Sequence, residues 1–130
     1  MSRNKARDGG ASIHFHIFDS DYGKGAQQHH DNFITPADRG RWMQLVYRLK
    51  ASSDANTGDG AIEMWRRWED EPNFTRIHSA TDIKGMVPRG AVPGWQHGYM
   101  FGQDSDTFKE PTEWLLDRVE ISTQPLVPLP

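Results

Sequence analysis

The sequence contains no cysteine. That excludes a disulfide framework, thiolate metal sites and a cysteine nucleophile, and leaves the compartment open. It contains no apolar run of about 18 residues, so no transmembrane helix is expected. The first eight residues, from Met1 to Asp8, include no apolar stretch and do not read as a secretory signal. No segment shows strong helical periodicity over 11 or more residues, and no internal repeat occurs. Hydrophobic residues make up only 35% of the chain, below the ~45–50% of ordinary globular sequences. A thin core between two packed sheets is therefore expected, filled by the five Trp, six Phe and three Tyr. An excess of positive charge is also lacking. There are 15 basic and 18 acidic residues. Residues 1–12 carry Arg3, Lys5, Arg7 and Asp8, a net of +2, so the remainder carries −5. A mildly acidic body does not suit a general nucleic-acid binder, whose affinity needs a basic footprint.

What is present is alternation with a period of two, the mark of half-buried strands. Residues 12–19 place Ile13, Phe15 and Ile17 on one face and His14, His16 and Phe18 on the other. Residues 41–50 place Met43, Leu45, Tyr47 and Leu49 together, with Gln44 and Arg48 opposite. Residues 60–69 place Ile62, Met64 and Trp68 together, with Glu63, Trp65 and Arg67 opposite. Segments 74–80, 95–103 and 112–123 read as further strands, and Phe33 and Ile34 as a short one inside a long polar loop over 20–40. The Ser/Asn/Asp/Gly-rich stretch 51–59 is a turn region. Residues 81–94, with Gly85, Pro88, Gly90, Pro93 and Gly94, form an irregular crossing. About seven strands separated by turn signals predict an antiparallel β-sandwich. The expected organisation is a flexible arm over 1–11, one domain over 12–123 and a Pro-rich tail over 124–130. The expected core comprises Ile13, Phe15, Ile17, Met43, Leu45, Tyr47, Leu49, Ile62, Met64, Val119 and Ile121, together with Trp42, Trp68 and Trp114.

Candidate chemistry gathers on the second faces of these strands. Glu63, Trp65 and Arg67, with Gln44 and Arg48 on the neighbouring strand, suit a sugar. Tryptophan stacks on sugar rings, and arginine forks onto a uronate carboxylate. The same residue types also form a cross-strand ladder of charges on a solvated face. His97 and Tyr99 join that face if the strand over 95–103 lies beside it. His14 and His16, two apart on one strand face, suit acid/base work or metal ligation, or are half-exposed side chains of a polar face. His29, His30 and Asp31 are adjacent, and neighbours in sequence rarely face one metal. Asp104, Asp106 and Asp117 offer oxygen ligands for a structural calcium. No other cofactor and no catalytic metal is expected.

Three segments together resemble a family. Gly40, Arg41 and Trp42 lead into an alternating strand, and Gly58, Asp59, Gly60, Ala61, Ile62, Glu63, Met64 and Trp65 follow. The stretch from Gly98 to Gly102 and the stretch from Glu113 to Thr123 close the pattern. These resemble concanavalin A-like jelly-roll polysaccharide lyases of the alginate- and glucuronan-lyase type. His14 and His16, followed by Tyr22 and Gly23, sit where those lyases carry a Tyr-x-Tyr strand and a Tyr-Gly loop end. The resemblance covers roughly residues 12–123 and corresponds to the C-terminal half of such an enzyme. It implies a jelly roll that binds acidic polysaccharide through Gln44, Arg48, Glu63, Trp65, Arg67 and His97. An active relative would eliminate across a polyuronate with His14, His16, Tyr22 or Tyr99 as base and acid. A structural or assembly protein, such as a phage virion or tail component, is the alternative, with the terminal arms joining copies into a homo-oligomer or larger assembly.

Overall fold

In the computed structural model of the chain, residues 10–15, 29–85, 87 and 115–127 are described. They are all-β, with two antiparallel sheets and a single 3-10 turn. The first sheet pairs β1 (Ala11–His14) with β2 (His29–Ile34). The second has the order β3 (Met43–Lys50), β4 (Gly60–Trp68), β5 (Thr75–Ile83). The expected strands over 41–50, 60–69 and 74–80 are thus present, and the short strand at Phe33 and Ile34 extends back to His29. Residues 16–28 and 88–114 fall outside the described residues, and with them Ile17, Trp114 and the expected strand over 95–103.

Local chemistry explains the connections. Between β3 and β4, Asp54 Oδ1 accepts from the backbone N–H of Asn56 and Thr57 at 2.7 and 2.9 Å, closing an Asx turn. Asp59 Oδ1 accepts from Ser53 N at 2.8 Å, and Lys50 Nζ donates to Asp59 Oδ2 at 3.0 Å. Ser52 is buried and donates to the Ile83 carbonyl at 2.8 Å, tying the loop to the end of β5. Position 60 must be glycine because a Cβ there would lie 2.7 Å from Ser52 Oγ and 2.9 Å from Ile83 O. Before β3, Thr35 and Asp38 bracket the 3-10 turn Pro36–Asp38, with Thr35 N and Oγ1 donating to Asp38 Oδ2 at 2.9 and 2.8 Å. Gly40 follows at φ 78°, a conformation open to glycine. Arg41 then bridges Asp38 and Asp70 and lies over the Trp68 ring at 4.6 Å.

The core lies on both faces of β4, whose residues 60–65 are all buried. Met64 and Ile83 are fully buried, and Ile62 packs with Ala80 and Ile83 under Phe15. This is the face met by the two-stranded sheet. The Phe15 ring stacks on His78 at 4.0 Å, and Arg66 Nη1 donates to the Phe33 carbonyl at 2.6 Å. On the opposite face Val46, Trp65 and Val127 form a second cluster, with Phe74 against it. The expected burial of Ile62, Met64 and Trp68 is observed.

Three expectations require correction. In β3 the buried aliphatic residue is Val46, while Tyr47 and Leu49 are half-exposed and Met43 and Leu45 only partly covered. The residues of the small sheet that pack down, Phe15, His30 and Phe33, meet β4 and β5, so the odd-numbered face of the outer strand is left uncovered by them. Trp42 is 51% exposed because it precedes β3, pinned by its backbone to Glu69 while its ring projects outward. Residues 115–127 form no strand, and Val119 and Ile121 are exposed despite their alternation. Alternation in that segment had no sheet among the described residues to pair with, and an unpaired strand leaves its backbone groups to water.

Candidate functional site

Antiparallel pairing of β3 with β4 sets Gln44 opposite Arg67, Val46 opposite Trp65 and Arg48 opposite Glu63. The five residues expected to share a face are therefore brought together. Arg67 Nη2 donates to Gln44 Oε1 at 2.7 Å, and its guanidinium lies 4.8 Å over the Phe74 ring. Arg48 donates to Glu63 Oε2.

β5 adds two groups that the alternation of 74–80 did not reveal. Between Met64 and Trp65 the ladder shifts, with Met64 opposite His78 and Trp65 opposite Arg76. The extra residue, Ile77, turns Arg76 onto the face of Glu63 and leaves His78 on the other. Arg76 Nη1 lies 3.5 Å from Glu63 Oε1, and Ser79 Oγ donates to the same oxygen at 3.3 Å. A simple period of two would have put Arg76 and His78 on one side. The sequence signal that could have found Arg76 was the polar content of the segment, not its phase.

Glu63 is 5% exposed and is the hub of this face. A buried carboxylate is tolerable only when paired and hydrogen-bonded, and here it has Arg48, Arg76 and Ser79. The two arginine side chains keep 38% and 45% of their surface in solvent. Each can therefore hold Glu63 with part of its fork and present the remainder outward. Three guanidinium groups, Arg48, Arg67 and Arg76, stand against one carboxylate. These four side chains alone sum to +2, on a chain whose overall charge is −3.

Trp65, expected as an open platform for a sugar ring, is 4% exposed beneath Val127 and Phe74. Its ring is a core element of this face. The tail residue Val127, expected to belong to a free arm, does the covering.

The opposite face carries a different cluster. His30 Nε2 and His78 Nδ1 are 3.1 Å apart, one ring nitrogen donating and the other accepting. His78 is 2% exposed, and its Nε2 is buried without a hydrogen-bond partner. Burial, and after it the neighbouring His30, hold the His78 imidazole below its ordinary value of 6.5. Arg66 lies 5.6 Å over Phe33 and 5.2 Å over Trp68, a cation between two aromatic rings.

Of the expected catalytic set, His14 is exposed at the end of β1, opposite His29 in register. His16, Tyr22, Tyr99 and the binding candidate His97 lie outside the described residues. Asp104 and Asp106 do as well, and Asp117 is exposed. Among the described residues no group of three His, Asp or Glu is placed to hold a metal ion. No helix among them is long and apolar enough to cross a membrane. Comparison of the chain with protein-family models, curated proteins and solved structures finds no match.

Proposed function

We propose that this chain recognises acidic polysaccharide on the arginine-bearing face of the three-stranded sheet, as a shortened jelly-roll protein of polysaccharide-lyase type. The observation that carries the reading is the unbalanced row of Arg48, Arg67 and Arg76 around the single carboxylate of Glu63. A planar guanidinium matches a uronate carboxylate through two parallel hydrogen bonds. Gln44 and Ser79 add neutral partners of the kind sugar hydroxyls use. The exposed Trp42 supplies a ring nearby in sequence, whereas Trp65 contributes packing.

Binding without turnover suits this face better than elimination. β-Elimination needs the carboxylate neutralised, a base at the C5 proton and an acid at the leaving oxygen, on one wall. Among the described residues, His30 and His78 belong to the opposite face, as does Tyr47 by its register with Met64. Among the described residues the arginine face therefore supplies the first requirement only.

Calorimetric titration with a polyuronate such as alginate, against a neutral glycan as control, tests the reading. Affinity for the polyuronate alone, weakened in Arg67→Ala and Arg76→Ala and by added salt, is expected. Equal affinity of both variants and the parent would move the site elsewhere. Accumulation of ultraviolet-absorbing unsaturated uronate, abolished in His16→Ala, would establish the lyase reading instead. The assembly reading is favoured by one separate observation, the half-exposed Tyr47 and Leu49 on an outer strand.

A further inference from the structure

The three-stranded sheet has two outer strands, and they differ. β5 exposes Thr75, Arg76, Ser79, Thr81 and Asp82, and its ladder with β4 is broken by two register shifts. Polar side chains and bulges of this kind protect an edge from pairing with another chain. β3 carries exposed Gln44 and Lys50 but has no bulge. Its ladder runs from Met43↔Trp68 to Lys50↔Ala61 without a shift, and it contains no proline. Among the described residues no strand pairs with its other side. Tyr47 and Leu49 stand 49% and 50% exposed along it.

We propose that the outer edge of β3 is a self-pairing surface, through which two copies of this chain join antiparallel about a two-fold axis at Val46. The strand's own sequence selects the second copy and the register. A two-fold axis normal to the sheet keeps each face on its own side, so odd-numbered residues must oppose odd ones. Centring on Val46 sets Leu45 opposite Tyr47 and Met43 opposite Leu49, an apolar row on one face. On the other face Gln44 meets Arg48, and Trp42 meets Lys50 in position for a cation–π contact. No like charges oppose. Shifting the axis to Tyr47 sets Val46 against Arg48 and gives up that match. Aromatic–aliphatic cross-strand pairs are the stabilising unit of such a sheet, and the two arginine faces become one continuous surface of twice the length.

The absence of native cysteine makes the register testable. Directly opposed residues in an antiparallel pair lie within disulfide reach, while diagonal ones lie about 7–8 Å apart. Light scattering on the full chain at micromolar concentration should give the mass of a dimer. Tyr47→Lys should reduce it to a monomer with an unchanged far-ultraviolet circular dichroism spectrum. Leu45→Cys and Tyr47→Cys chains, mixed and oxidised, should cross-link to each other in preference to themselves, and Thr81→Cys on β5 should not cross-link. The cysteine mixture decides the question even if the lysine variant fails to fold. A monomeric parent, a dimer indifferent to Tyr47→Lys, or self-linking in preference to mixed linking would overturn the proposal.

Discussion

Met64, His78 and Glu63 sit within two strands of each other, and each tests a different force. Met64 is fully buried. Met64→Ala should cost about 2–5 kcal/mol by lost transfer energy and the cavity left behind. Ile121→Ala, at a 94% exposed site, should change stability by less than about 0.5 kcal/mol. Chemical denaturation of both variants checks the pair. His78 adds a pH dependence. Its imidazole is held below 6.5 in the folded chain by burial and by His30, so in the unfolded chain it binds its proton at higher pH. The stability it supports is full above about 6.5 and is lost as pH falls below that value. The denaturation midpoint should fall on acidification through this range, and His78→Phe, which retains an aromatic partner for Phe15, should flatten the fall. Glu63 links stability to the proposed binding. Glu63→Gln removes the carboxylate that Arg48 and Arg76 share. A charged hydrogen bond contributes roughly 1.5–3 kcal/mol, and solvent at both arginines places the expected loss at the lower end. The same change frees two guanidinium groups, so polyuronate affinity should rise while the melting temperature drops.

At the scale of elements, β3, β4 and the loop joining them were legible because the signals are local. Alternation sets the strands, and Asp54, Asp59 and Gly60 fix the turn. The pairing of Gln44 with Arg67 and Arg48 with Glu63 followed from the same register. What the sequence could not reveal was which face of each strand another element would cover. Val46 rather than Leu45 is buried because a tail residue 81 positions away, Val127, packs on the even-numbered face. Trp65 read as a platform for the same reason: nothing local marks Val127 as its cover. Arg76 was missed because a bulge at Ile77 reverses the phase of β5, and a bulge leaves no reliable trace in a period-two pattern. Residues 115–123 alternate as cleanly as β3 yet form no strand, and no strand among the described residues pairs with them. The tail's role can be measured. Val127→Ala should cost about 1–3 kcal/mol from lost burial and the space above Trp65, and removal of residues 125–130 should shift tryptophan emission to the red. Unchanged emission in the truncated chain would show that Val127 does not cover the ring.

For the whole molecule, the central feature is a contrast of sign. A chain of net charge −3 carries three arginines around one buried carboxylate on a single sheet face. Its other sheet face is occupied by the two-stranded sheet through Phe15, His30 and Phe33. The most direct measurement is a titration of the isotopically labelled chain with a short oligouronate, followed by nuclear magnetic resonance. The expected result is saturable shifts at Gln44, Arg48, Glu63, Arg67, Arg76 and Ser79, lost at high salt, with His30, Arg66 and His78 unmoved. Shifts confined to His30, Arg66 and His78, or no saturable shift at low salt, would contradict the assignment of this face as the binding surface.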